Sequence, residues 1–185
     1  AGELFNAFVD VASKPQDASA RQVVLARAGE MASRFRTAGE QLDTIQKGVT
    51  QDLKAQVASV NDLAQQIARL NQKIAAVKGS GHEPNDLLDQ RDAAIDELSR
   101  YVQVSTIAAD DGSTSVFIGG GQRLVLGTEV SELATVPDAF DPQRVQLGIV
   151  EAGAKPRALP TASFTGGELA GLLRGQGLQV RLQRE

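Results

Sequence analysis

From about Ser19 to Val77 the chain runs without a proline, and apolar residues recur at steps of three and four. The series is Leu42, Ile45, Val49, Leu53, Val57, Val60, Leu63/Ala64, Ile67, Leu70/Asn71, Ile74 and Val77. Such steps keep one stripe of an α-helix apolar, so a single helix is expected over the whole span. At 1.5 Å per residue it would be about 90 Å long, several times an ordinary globular helix. Helices of that length belong to structural and assembly proteins far more often than to compact enzymes. Ser19-Ala20-Arg21-Gln22 has the spacing of a capping box, which makes Ser19 the expected N-cap. Gly29, Gly39 and Gly48 lie inside the helix, each costing up to about 1 kcal/mol relative to alanine. They mark either a local weakness or bend, or close packing against a neighbour.

The flanks set the fold class. Residues 2–13 read as a short amphipathic helix (Leu4, Phe5, Phe8, Val11) that Pro15 stops, because proline disfavours helix in the residue before it. Folding back through Pro15 sets Phe8 against Val23 or Val24, and Leu4 against Arg27 or Ala28. The long helix ends in the glycine-rich turn Lys78–Pro84, and Asn85 or Asp86 caps a helix over 86–101. Alternation then replaces helical periodicity: Val102–Ile107, the turn Asp110-Asp111-Gly112-Ser113, Ser115–Ile118, a Gly119–Gly121 turn, Arg123–Leu126, Val130–Val136 and Arg144–Val150. These predict one small antiparallel sheet. Gly166-Gly167-Glu168 leads into a short helix, Leu169–Arg174. The expected architecture is α+β: a helical rod over 1–101, a β subdomain over 102–165, and a short return helix with a tail over 166–185.

A short turn between the two rod helices implies an antiparallel pair. Folding about residue 81 sets Leu87 against Ile74, Ile95 against Ile67 and Leu98 against Ala64. One polar residue, Arg91, falls on the apolar stripe of the second helix, in register with Asn71 on the first. A half-buried Arg is costly unless paired, and a single polar contact in an apolar seam fixes register. The expectation is an Arg91–Asn71 contact, completed by Asp89 or a turn carbonyl. The competing reading lays Arg91 along the seam with its head in water. The same arithmetic leaves the stripe of Phe35, Leu42, Ile45, Val49, Leu53 and Val57 without a helical partner before the sheet region: either the sheet and terminal helix cover it, or it is a candidate docking stripe for segments outside this chain.

Composition excludes several classes. The 185 residues carry a net charge of −4 with charges of both signs, which gives no basic footprint for nucleic acid. Without cysteine there is no disulfide, thiol catalysis or thiolate metal site. No apolar run approaches the roughly 18 residues of a membrane span. His82 is alone in a loop, and Asp89, Asp92 and Asp96 share a face that reads as solvated. Gly119-Gly120-Gly121 lacks a following Lys-Ser/Thr, so it is not a phosphate loop. Asp110-Asp111-Gly112-Ser113-Thr114 hints at a calcium loop, but Gly121 stands where the twelfth-position Glu would be. Nothing here points to an enzyme, a metal, a cofactor or a small-molecule substrate.

The segment Asn85-Asp86-Leu87-Leu88-Asp89-Gln90-Arg91-Asp92, followed by Ile95-Asp96-Glu97-Leu98-Ser99, resembles the flagellar hook-associated protein 1 family. Leu4-Phe5-Asn6-Ala7-Phe8, Ser13–Asp17, Ala20–Val24, Leu63–Asn71, Gly119–Val125 and Thr165–Leu173 are similar to family segments too. The resemblance implies a bacterial axial protein, exported through the flagellar type III channel and working outside the cell as a structural subunit between hook and filament. Its implied partners are the hook protein, the second junction protein, its own copies in a ring, and an export chaperone for a C-terminal segment. It also implies that this chain is a central fragment lacking the family's terminal polymerisation segments, with glycines at 175 and 177 departing from a continuing helix. A reading of another class is a coiled-coil sensory or adaptor module, which needs convergent polar groups between helices and flanking membrane spans in the full gene.

Overall fold

The computed structural model describes residues 2–139, 141, 144–151 and 153–184, and for 177–184 the backbone only. The elements are α1 (Gly2–Ser13), α2 (Ala18–Gly79), α3 (Asn85–Tyr101), β1 (Val104–Ala108), β2 (Thr114–Ile118), β3 (Gln122–Leu126), β4 (Glu129–Val130), β5 (Glu132–Pro137), β6 (Val145–Val150), β7 (Arg157–Ala158), a 3₁₀ turn (Thr161–Ser163) and α4 (Glu168–Arg184). The fold is α+β. The chain divides into two compact units, Ala1–Ile45 and Gln46–Glu185, and α2 belongs to both.

In the first unit, α1 presents Leu4, Ala7 and Val11 on one face, and only Ala7 is buried. Leu4 lines the same cleft as Arg27 and Met31. Phe8, expected to face Val23 or Val24, is 52% exposed instead. The small Ala7 takes the close approach, and the bulkier Phe8 lies one position further round the helix. Ser19 is not the N-cap of α2. The Asp17 carboxylate accepts from the backbone N–H groups of Ser19 (2.8 Å) and Ala20 (3.4 Å). A charged oxygen at the helix N-terminus satisfies two otherwise unpartnered donors and complements the helix dipole. Ser19 therefore sits inside the first turn. A Cβ added at Gly29, Gly39 or Gly48 would meet nothing within 4 Å, so close packing within this chain does not explain those glycines.

The second unit holds one continuous apolar core. It takes Leu53, Val57, Val60, Ala64 and Ile67 from α2, Ala94 and Leu98 from α3, Val116, Ile118, Leu124, Val125, Leu133, Leu147 and Ile149 from strands, and Leu169, Ala170 and Leu173 from α4. Ile67, Ala64 and Leu98 thus share that core, Ile95 packs against it, and Ile74 is buried. At the N-terminus of α3 the Pro84 carbonyl accepts from Leu87 and Leu88 N–H (3.0 Å each), and no side chain caps the helix. Asp86 is consequently not a cap; it is an exposed acid of the first turn, on the side the helix dipole favours.

The strands form two antiparallel sheets rather than the single one expected, in the orders β1-β2-β3-β4 and β5-β6-β7. The run Val130–Val136 is divided at Ser131, whose N–H turns back to the Leu124 carbonyl (2.8 Å). The return helix is also longer than Leu169–Arg174: α4 continues through Gly175 and Gly177 to Arg184.

Candidate functional site

Two asparagine amides on α2 carry the joint between helix and sheets. Asn71, fully buried, donates through Nδ2 to the carbonyls of Thr114 (2.8 Å) and Gly127 (2.7 Å). Its Oδ1 accepts from the Thr114 N–H (3.0 Å). The side chain therefore satisfies both backbone polar groups of Thr114 as a neighbouring strand would. Asn61 repeats the device on the other sheet, with Nδ2 donating to Leu133 O (2.9 Å) and Oδ1 accepting from Leu133 N–H (2.8 Å). Backbone groups buried at a helix–sheet contact must be paired, and a primary amide offers a donor and an acceptor with the right spacing.

The expected Arg91–Asn71 bond is not formed. Arg91 is buried, and its Nη1 donates to the carbonyl of Gly112 (2.7 Å), two residues before Asn71's partner Thr114. The two side chains meet neighbouring positions of the β1–β2 hairpin instead of each other. Asp92, not Asp89, is the carboxylate beside the guanidinium, 3.6 Å from Nε; Asp89 is exposed. Burial also removes the alternative in which Arg91 reaches water along the seam. Gly112 accepts this bond from a left-handed backbone (φ +86°), with Lys78 and Ile74 packed against its α-carbon. In the same turn Asp111 accepts from Ser113, and those hydrogen bonds hold its carboxyl below the ordinary range.

Where the end of α3 meets the start of α4, Gly167 (φ +85°) lies so close to Tyr101 that an added Cβ would stand 2.5 Å from the Tyr101 carbonyl oxygen. Only glycine fits there. Gln56 Nε2 then donates to Glu168 Oε2 (2.8 Å), holding the start of α4 on α2. This explains the fate of the docking stripe. Leu53 and Val57 are buried in the core with the first turns of α4, so they are not a free docking surface. Leu42 and Val49 are half-buried, while Phe35 (68%) and Ile45 (51%) stand exposed. In the first unit Phe5 (70%) and Leu25 (71%) are exposed as well. Arg27 lies between Glu30 (3.0 Å) and Glu3 (3.1 Å), and the hydrogen bond to Glu30, then the charge of Glu3, raise its pKa further.

Asn61, Asp17 and Gly167 are the residues that sequence reading missed. For Asn61 a signal existed: asparagine is a poor helix former, and here it interrupts a run of good ones. Among the described residues no group of three or more His, Asp or Glu is placed to hold a metal. His82 stands exposed with Ser80 Oγ 3.3 Å from Nδ1.

Comparison with known proteins places the chain in a family. The family model described as the flagellar hook-associated protein FlgK helical domain matches residues 1–183. Flagellar hook-associated protein 1 of Salmonella typhimurium is 34% identical over 172 residues, which cover 92% of this chain and 31% of that protein. The Bacillus subtilis protein of the same name is 30% identical over 191 residues, covering 94% and 37% respectively. The solved flagellar hook junction protein FlgK from Burkholderia pseudomallei superposes with a TM-score of 0.84 at 36% identity, over 94% of this chain and 31% of that one. The chain thus spans about a third of the length of these relatives. With a helical-domain match over residues 1–183 and a relative 34% identical over 92% of its length, this chain belongs to the flagellar hook-associated protein FlgK family.

Proposed function

We propose that this chain is the helical part of a structural, non-enzymatic subunit that connects the flagellar hook to the filament outside the cell, through contacts with neighbouring axial subunits. The observation that carries the reading is the match to a solved hook junction protein over 94% of the chain. The exposed Phe35 and Ile45 on an otherwise regular helix stripe support contacts through apolar surface. The hook protein, the second junction protein and other copies of the subunit are the partners this role requires, with an export chaperone before assembly. Relatives from Salmonella and Bacillus alike carry flagellar hook names, which favours this reading over a sensory or adaptor module.

The test is deletion of the full reading frame in a flagellated host, with filaments on hooks counted by electron microscopy. Hooks without filaments, rescued by the intact gene, are the expected result. Full filaments on the hooks of deleted cells would overturn the proposal.

A further inference from the structure

The apolar core of the second unit reaches along α2 only to Ala68, and back along α3 only to Ala94. Ile74 and Arg91 are buried as well, yet they lie outside it. They belong to a separate end of the unit, built from the last turns of α2, the first turns of α3 and the turn between β1 and β2. Apolar burial is sparse there. Between Asn85 and Gln90 no residue is buried, and no side chain caps that end of α3. The connection from α2 to α3 is open too: an added Cβ at Gly79 or Gly81 would meet nothing within 4 Å.

What closes this end is one polar contact. Arg91 Nη1 donates to the Gly112 carbonyl (2.7 Å), to which no backbone N–H donates among the described residues. Around it, Ile74 and Lys78 of α2 lie against the Gly112 α-carbon. The charge that makes the contact is poorly compensated. Arg91 Nε is buried without a hydrogen bond, and Asp92, 3.6 Å away, is 68% exposed. A buried charge so placed adds little net stability and acts chiefly as a specific contact. Two residues further on, Asn71 holds both backbone groups of Thr114 and the Gly127 carbonyl, a much fuller set of bonds. An end with few apolar contacts, bounded by a well-bonded position, is what opens ahead of the rest of a fold.

We propose that Arg91 and the Gly112 carbonyl form a latch. When it parts, the first turns of α3, the β1–β2 turn and the last turns of α2 open together, while the apolar core stays closed. The opening runs as far as Asn71 and stops there, because the amide keeps its grip on Thr114. Once uncovered, the last turns of α2 are the free end of a helix, which frays. The latch is buried within this chain, so polypeptide beyond the chain can cover this end but cannot stand in for the contact. The proposal is independent of the junction role, since it concerns a motion inside the chain.

The experiment is amide hydrogen exchange of the purified chain, followed residue by residue by NMR at low urea. In the parent, the amides of Arg91 in α3, Val77 in α2 and Gly112 in the turn are expected to exchange through one common opening. The amides of Thr114 and of Ala64 to Ala68 should exchange more slowly. Arg91→Ala removes a hydrogen bond from a charged donor, so the first three should speed up together by about tenfold or more. Thr114 and the core amides should keep their parental rates. Gly112→Ala attacks the latch from the other side, because a Cβ there would stand 2.6 Å from Lys78 Cδ on a backbone of positive φ. It should accelerate the same three amides. Unrelated exchange rates in the parent would overturn the latch. So would an effect of Arg91→Ala confined to α3, or one that reaches Thr114 and the core equally. A variant that fails to fold also counts against it, because the core is expected to stay closed without the latch.

Discussion

Phe35 and Leu53 lie five turns apart on the same stripe of one helix, yet one is 68% exposed and the other fully buried. The unit up to Ile45 buries Ala7 alone among its described apolar residues, whereas the unit from Gln46 gathers helices and both sheets around one core. Sequence periodicity is alike in both. What differs is whether the chain supplies something to pack there. An amphipathic stripe therefore records that a helix is to be covered, without recording by what.

The sharpest way to break this contrast is Asn71→Ala. Two buried backbone groups and one part-buried carbonyl lose a partner, at about 1–3 kcal/mol each, so a loss of about 4 kcal/mol is expected in urea unfolding. Next comes the pair that defines the comparison. Leu53→Ala should cost about 3 kcal/mol through lost burial and the cavity left behind. Phe35→Ala should stay within about 0.5 kcal/mol, as for surface sites. Equal costs for the two would end the distinction between the units.

Smaller effects sharpen it. Gly39→Ala fills open space in a helix interior and should stabilise the first unit by about 0.5–1 kcal/mol, read as a higher melting midpoint. Asp111 provides a pH readout on the second unit. Its carboxyl is held low by Ser113, so its contribution is complete above the ordinary carboxylate pKa and disappears as pH falls through the lowered folded value. In D111N that part of the acid-side decline in stability should vanish from urea midpoints measured against pH, while the rest of the profile is unchanged.

Local features were legible because they are written in neighbouring residues. Pro15 marks the end of α1, Gly79 to Gly81 the end of α2, and steps of three and four mark everything between. The octapeptide around Arg91 carried the family resemblance. Pairings across the chain were not legible. Asn71 was set opposite Arg91 by hairpin arithmetic, but its partner Thr114 lies 43 positions away in a strand whose docking no periodicity encodes. The division of Val130–Val136 into two sheets is a change of hydrogen-bond partner at Ser131, and composition does not change there. Ser19 and Asp17 are both good capping types two residues apart, and only the position of the first helical turn chooses between them.

The spacing of the two amide clips limits how the gene can change. Asn61 and Asn71 grip separate sheets from one continuous helix, so the ten-residue step from one to the other fixes a separation of about 15 Å and a rotational phase. Inserting or deleting one residue there turns one clip by about 100° relative to the other, and both sheets cannot then be held. Between Arg34 and Ile45 the same change moves no amide clip and leaves the α1 contacts at Arg27 and Met31 in place. Length variation among descendants of this chain should therefore accumulate before Gln46 and be purged between the asparagines.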